Sequence, residues 1–318
     1  MAGDRDTPGV GLPVRGGNRS VQPVPFLTLL FEHAPRIERL VAALEALDAD
    51  VQAVDVRQAV ARGRLPGAPD APLVNRVGAY PAAGGDPAIV LAVRDLLRRL
   101  EQDGRPVVNG HRSYALATSK IAQARLVDDV GLRAPRTVAV ADPAELASAA
   151  ERLTFPILFK PNVGGSGAGI RLLHHEGDLA DTARRRALAF GPDGLAVLQE
   201  YHAPEDGAIV RVELLGDRLL YATRQRVVDG VFNYCAEEGC HADDDTIEAI
   251  PVAPETLEEA VRILRASGSD LGAVEYLVSR RDGLRYWFDI NPFSNYVGAA
   301  VLGFDPAERL ARYLLERV

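Results

Sequence analysis

Hydrophobic residues first gather at Phe26–Glu32 (FLTLLFE), a compact apolar run of strand length. Beyond it Ile37, Leu40, Val41, Leu44 and Leu47 recur at helical spacing, predicting a helix over Arg36–Leu47. Val51–Val56 predicts a strand, and Pro66, Gly67, Pro69 and Pro72 a loop. Leu73–Val77 returns to strand, Ile89–Leu100 to amphipathic helix and Pro106–Asn109 to a short strand. Alternating strands and helices predict a parallel α/β lobe over residues 22–112. Ser113–Val130 reads as one long helix, stopped by Gly131 with Pro135 beyond it.

The pattern then changes. Thr137–Val140 predicts a strand, Pro143–Leu153 a helix with proline in its first turn, and Ile157–Lys160 a strand. A glycine loop, a strand at Ile170–Leu173 and a helix at Asp178–Phe190 complete a smaller α+β lobe, residues 113–194. The last lobe, 195–318, is richer in strands: Ala196–Glu200, Ala208–Leu215, Arg218–Gln225, Ala273–Ser279 and Leu284–Ile290. Helices at Glu255–Ala266 and Pro306–Glu316 flank them.

Composition narrows the function classes. In 318 residues, 47% are hydrophobic and 25% charged, the balance of a globular protein with several cores. The net charge of −8 argues against non-specific nucleic-acid binding, which needs a cationic face. No apolar run approaches the roughly 20 residues of a membrane span. Residues 1–21, rich in Gly, Arg and Asp, read as a disordered tail without the apolar segment of a signal peptide. Two cysteines exclude a disulfide framework, and a reducing cytoplasm is the expected compartment.

Two segments carry chemistry. In Phe155–Ile170 (FPILFKPNVGGSGAGI), Gly164, Gly165, Gly167 and Gly169 leave backbone N–H groups uncovered, as a phosphate-wrapping loop requires. Lys160 closes the preceding strand. The loop lacks the Gly-Lys-Ser/Thr of a Walker motif and the spacing of a dinucleotide fingerprint. A phosphate-covering hairpin and a flexible surface hairpin both stay open. In Leu271–Pro292 (LGAVEYLVSRRDGLRYWFDINP), Asp289 and Asn291 share one strand face. A two-residue Asp282-Gly283 turn would set Glu275 opposite Ile290. A three-residue loop, Arg281-Asp282-Gly283, with Gly283 left-handed, sets Glu275 opposite Asp289 and Ala273 opposite Asn291. Opposed Cβ atoms about 4.5–5.5 Å apart let both carboxylates share a metal. Oxygen-only donors among apolar neighbours suit Mg²⁺ or Mn²⁺ rather than zinc. A solvated polar face is the alternative.

Taken together, these segments resemble the ATP-grasp superfamily, and within it the RimK-like amino-acid ligases. The likeness runs from about Val108 to Val318 and more loosely back to Phe26. It implies an ATP-grasp fold, two α+β lobes clasping ATP, preceded by a small parallel α/β domain. Asn109–Leu126 looks like the family's linker helix, with Lys120 at its first nucleotide lysine and Lys160 at the second. Gly165, Ser166 and Gly167 match its phosphate loop. Val197–Tyr201 (VLQEY) resembles its hinge, where Gln199, Glu200 and Tyr201 would meet the adenine. Arg211 and Arg224 fall where the family places basic residues near the phosphates and the reaction centre. Glu275, Asp289 and Asn291 match its metal ligands, Asp289 standing where glutamate is usual. Close relatives carry D-x-R where this chain has Ile209-Val210-Arg211, so the acid near the ribose is missing; Asp206 or Glu205 could substitute.

What the resemblance implies is an ATP-dependent carboxylate–amine ligase. It would use ATP with Mg²⁺ or Mn²⁺, form an acyl phosphate, and release ADP and phosphate as an amide or peptide bond forms. Its partners would be small carboxylate and amine substrates, free amino acids or a group on a peptide or carrier protein, with a homo-oligomer left open. A small-molecule kinase on the same scaffold and a non-catalytic nucleotide-binding module are the alternatives. Asn233, Tyr234 and Cys235 lie where such enzymes carry a substrate loop, and Ser294 and Asn295, with Phe293, leave the metal site toward the acceptor. Cys235, Cys240 and His241, followed by Asp243–Asp245, lack zinc-ligand spacing and read as part of that loop. His174-His175-Glu176 reads as a polar turn and Arg184–Arg186 as a solvated helix face.

Overall fold

The structure is a computed structural model that describes residues 26–65, 71–78, 87–165, 167–185, 188–227, 246–296 and 299–317. The expected tail at 1–21, most of the proline loop at 66–70, Ser166, Arg186 and the Asn233–Asp245 segment lie outside the described residues.

Apolar β1 (Phe26–Phe31), β2 (Asp50–Asp55), β3 (Leu73–Asn75) and β4 (Val107–Val108) form a parallel sheet in the order β2-β1-β3-β4. The alternation of β1 divides its leucines. Leu30 joins a core with helices Val56–Arg62 and Pro87–Gln102, while Leu27 and Leu29 join the opposite one. That second core contains helix Glu38–Glu45 and the last helix, Pro306–Leu315, through Leu40, Leu44, Leu310 and Leu314. The end of the chain thus covers its first sheet, and Leu215, Leu220 and Leu271 extend the same core into the last lobe. The helix Val56–Arg62 was not expected. Val56, read as strand, is its first residue, and Asp55, the last residue of β2, is its N-cap, accepting from the N–H of Arg57 at 2.7 Å.

The expected long helix is two helices, His111–Ala117 and Lys120–Asp129. The Ser119 side chain caps the second by accepting from the N–H of Ala122 at 3.2 Å. Asn162 completes the break: its Oδ1 accepts from the N–H of Ile121 at 3.0 Å and its carbonyl from the N–H of Lys120 at 3.2 Å. Lys120 therefore starts a helix instead of sitting mid-helix.

The middle lobe is an antiparallel sheet of β5 (Thr137–Val140), β6 (Ile157–Pro161), β7 (Arg171–Leu173) and β8 (Ala196–Glu200), ordered β5-β8-β6-β7. β8 lies between β5 and β6, so this sheet runs to Glu200, past the expected boundary at 194. Helices Leu146–Ala150 and Glu176–Arg184 bury its other face; both are shorter than expected. The first is preceded by a 3-10 turn, Pro143–Glu145, capped by Asp142.

The last lobe is an antiparallel sheet of β9 (Ala208–Leu215), β10 (Arg218–Arg226), β11 (Ile247–Ala249), β12 (Leu271–Val278) and β13 (Arg285–Asn291), ordered β11-β10-β9-β12-β13. Helices Pro254–Ser267 and Lys120–Asp129 pack on one face through Ile263, Leu264 and Val127. No helix among the described residues is long and apolar enough to cross a membrane.

Asn109 joins the first lobe to the last. It is fully buried with a left-handed φ of 53°. Its Nδ2 donates to the carbonyls of Leu271 at 3.0 Å and Pro292 at 2.7 Å, and its Oδ1 accepts from the N–H of Asp270 at 2.8 Å. Asn109→Ala strands these groups and leaves a non-glycine φ that alanine tolerates poorly. A loss of about 3 kcal/mol or more is expected in urea unfolding.

Candidate functional site

The hairpin β12–β13 has the register that makes a site, reached by a different route from the one expected. Its turn holds four residues, Arg280–Gly283, between Ser279 and Leu284, whose N–H and carbonyl bond at 2.8 Å. Gly283 is left-handed, φ 68°, as expected. Near the turn Val278 faces Arg285 and Tyr276 faces Trp287, but next along Glu275 faces Asp289. Phe288 is therefore an extra residue, a β-bulge. The bulge turns Trp287 into the helix-covered core and lets Phe288, Asp289 and Asn291 all line the opposite side.

Across the sheet Glu275 also pairs with Arg211 on β9. Arg211, Glu275 and Asp289 thus form one row over three strands, and Glu213, Ala273 and Asn291 form the next. Arg211 is buried; its Nε donates to Glu213 at 2.7 Å, Nη1 to Glu275 at 2.5 Å and Nη2 to the Ser294 hydroxyl at 2.9 Å. The Ser294 hydroxyl in turn donates to Glu213. Burial works against the Arg211 charge, but Glu213 and Glu275 more than offset it and hold its pKa above the ordinary value. Burial raises the Glu275 pKa, with Asp289 adding to the rise and Arg211 opposing it. At Asp289 burial also pushes upward, but Lys120, Arg211 and Lys160 outweigh it and the pKa is lowered.

The lysines come from the other elements. Lys120 Nζ bonds Asp289 Oδ1 at 3.1 Å. Lys160, on β6, donates to Gln199 Oε1 at 2.6 Å, and Gln199 Nε2 donates to Thr137 at 2.8 Å. Burial lowers the Lys160 pKa to about 7; Lys120 adds to the drop, against Asp289 and Glu275.

These groups surround a cavity of about 300 Å³ between the middle and last lobes. Lys120, Lys160, Gly165, Gly167, Gln199, Glu200, Tyr201, Arg211, Glu275, Asp289, Asn291 and Asn295 line it, twelve of the residues read from the sequence. Gly167 and Gly169 are left-handed, φ 71° and 76°, so the loop's conformation requires them. Ser166, Asn233 and Tyr234 lie outside the described residues.

Three expected residues do not line the cavity. Arg224 faces Val210, which packs on the helix-covered core, so the two-residue period turns it away. There it bonds Asp206 at 2.6 Å and Glu248 at 2.8 Å. Asp206 is held in that pair, outside the cavity. Ser294 is fully buried beneath the site, between Arg211 and Glu213. The hinge also departs from expectation: the N–H groups of Glu200 and Tyr201 are given to the carbonyls of Arg136 and Pro156, 2.9 Å each.

Sequence reasoning missed Glu213, Gln123, Phe288 and Gln225. Gln123 clamps the site strand, donating to the Ile290 carbonyl and accepting from its N–H, 3.2 Å each. Its signal was a polar residue one helical turn from Lys120. Gln225 lies directly across from Ile209, where a carboxylate was expected, and both line the cavity. Among the described residues the buried Gln225 Nε2 has no hydrogen-bond partner.

Among the described residues no three or more His, Cys, Asp or Glu side chains gather as a metal site. The protein offers two carboxylates and an amide instead, a hard-cation set that needs further oxygens from phosphate and water. Glu275 and Asp289 fit that role, being opposed in register with the Asn291 side chain one row on.

No protein-family model matches the chain. It is 22% identical over 223 residues to a probable alpha-L-glutamate ligase of Mannheimia succiniciproducens, covering 70% of this chain and 72% of that protein. The ATP-grasp ligase PsnB, solved with a minimal precursor, superposes with a TM-score of 0.66 at 21% identity, over 93% of this chain and 99% of that one. The D-alanine–D-alanine ligase of Bacillus anthracis, solved with ATP, does so with a TM-score of 0.65 at 15% identity, over 93% and 97%. The chain has the ATP-grasp fold. In ATP-grasp terms the middle and last sheets are the two clasping lobes, and the parallel sheet is the domain before them.

Because Lys160 is buried and its pKa is depressed to about 7, the unfolded chain holds the extra proton between pH 7 and about 10. Wild type should therefore gain stability relative to Lys160→Met as pH rises through that window, by at most about 1.4 kcal/mol per unit. Below pH 7 the difference should be flat. Thermal unfolding of both ligand-free proteins across the pH range checks this.

Proposed function

We propose that this protein is an ATP-dependent carboxylate–amine ligase. The observation that carries the reading is the row Arg211–Glu275–Asp289 facing Lys120 and Lys160 in the cleft of an ATP-grasp fold. The similarity to a probable glutamate ligase and to ligases of two substrate types supports it.

In this reading the glycine loop and Lys160 hold the phosphates of ATP, and Lys120 meets their charge from the helix start. Glu275, Asp289 and Asn291 would hold Mg²⁺ or Mn²⁺. When bound, the ion would neutralise charge on the transferring phosphate and orient it. A substrate carboxylate oxygen attacks the γ-phosphorus, the bond to the bridging oxygen breaks, and ADP leaves. An amine nitrogen then attacks the acyl carbon; the carbon–oxygen bond breaks, phosphate leaves and the nitrogen loses a proton. Arg211, fixed by Glu213 and Ser294, keeps a permanent charge beside Glu275 throughout. Gln225 takes the ribose contact that Ile209 cannot make, since it lines the cavity on the strand directly opposite.

ADP release screened over amino-acid pairs, with mass spectrometry of the products, tests the reading. Release that needs both a carboxylate and an amine, with an amide product, is expected; a stable phosphate ester would instead show a kinase. Glu275→Gln and Asp289→Asn should each lower kcat/KM about 10²–10³-fold. Gln225→Leu should raise the KM for ATP several-fold at nearly unchanged kcat, the pattern of lost uniform binding. An unchanged KM would remove Gln225 from the ribose site.

A further inference from the structure

Arg76 follows β3 directly, at the carboxyl end of a parallel sheet, where such sheets collect ligands. It is 6% exposed. One nitrogen, Nη2, donates to the carbonyl of Ser294, and the guanidinium stands 5.6 Å from the centre of the Tyr296 ring. Among the described residues its Nε and Nη1 meet no partner in hydrogen-bond geometry, and neither does the buried Tyr296 hydroxyl. The guanidinium and the Tyr296 hydroxyl attract each other at hydrogen-bond range, though outside good hydrogen-bond geometry. Glu32, buried just after β1, lends opposite charge, but its carboxylate is already engaged by Arg36 at 3.4 Å and by the backbone N–H groups of Glu32 and Gly78.

A guanidinium stays charged in a protein, so buried N–H groups left unmatched are a standing cost that an anion would relieve. The cavity ends next to this corner: Gly78, two residues after Arg76, and Asn295, between Ser294 and Tyr296, line it, while Arg76 and Tyr296 lie behind its wall. Ser294 ties the corner to the reaction centre, giving its carbonyl to Arg76 and its hydroxyl to Arg211, which holds Glu275.

We infer that Arg76 and Tyr296 form a carboxylate-binding site for a substrate of the ligase. The carboxylate to be activated must lie at the phosphates, beside Glu275 and Asp289. Arg76 is separated from Glu275 by Ser294 and Arg211, so the acid it holds is a second one. The group it holds is then the carboxylate that the amino-acid substrate of such a ligase, free or at a peptide end, retains in the product. This rests on the ligase reading above.

Calorimetric titration of the full chain, saturated with Mg·ADP, tests it. One arm uses the common amino acids as free acids and as carboxamides. The other uses tripeptides with free or amidated C-termini, which separates a free amino acid from a peptide end. At least one ligand should bind about tenfold or more tighter as the acid than as the amide. Arg76→Gln should abolish that ratio, and Tyr296→Phe should reduce it about threefold or more. The site is refuted if no acid binds better than its amide. It is equally refuted if the ratio survives in Arg76→Gln or, should that variant not fold, in Tyr296→Phe. Failure of the ligase reading is a separate result, the absence of acid- and amine-dependent ADP release from wild type.

Discussion

Arg211 is a guanidinium with almost no access to water, and it cannot give up its charge. Everything near it is arranged to satisfy that charge. Glu213 and Ser294 fix two of its nitrogens, and the third holds Glu275. Removing one partner from such a buried pair costs about 3–5 kcal/mol, so the row across β9, β12 and β13 has little freedom to drift. The same serine carries Arg76 on its carbonyl, which brings the first lobe into the arrangement. One buried cation therefore aligns a candidate metal ligand, a loop and a neighbouring domain.

The lobes are locked at the points this alignment requires. Asn109 reaches from the first sheet to the carbonyl of Pro292, the residue after Asn291. Gly272 makes room there: its φ is 147°, and a Cβ would fall 2.5 Å from the Cα of Pro292. On the other side Gln123 clamps Ile290, between Asp289 and Asn291. The site strand is thus held from two directions by side-chain amides, and Lys120 shares a helix with one of them.

Much of this was legible in the chain. The alternation in FLTLLF and the periodicity of the helices gave the layers, because burial on one face or two imposes those spacings. That Lys160, the glycine loop and the Glu275/Asp289/Asn291 set gather at one cavity could be expected, because these residue types stand out in their segments. What escaped was set by tertiary context. The break at Ser119 depends on Asn162, 43 residues away, and its local mark is the cap-forming pair Thr118-Ser119. The bulge at Phe288 compensates for a turn one residue longer than supposed, so the register was right while its cause was not. Arg224 was misplaced because resemblance supplies a residue type, whereas the pairing with Val210 decides its face. Arg76 gave no signal, since an arginine after a short strand becomes unusual only once it is buried.

The charges of the cleft also explain how such a site can exist before its ligands arrive. Two carboxylates side by side in a buried row would repel, and two lysines facing them would each be costly alone. Instead Lys120 rests on Asp289, Arg211 on Glu275, and Lys160 relieves its charge by a pKa near 7 and a bond to Gln199. Each of these pairings except that of Arg211 is one that a polyphosphate and a divalent cation can take over. The lysines would pass to phosphate oxygens and Asp289 to metal, while Glu275 could meet the ion without leaving Arg211, so that binding strands no charge. Arg211 is excluded from that exchange because Glu213 and Ser294 anchor it from beneath. It is the fixed member of the row, and the movable charges are set against it.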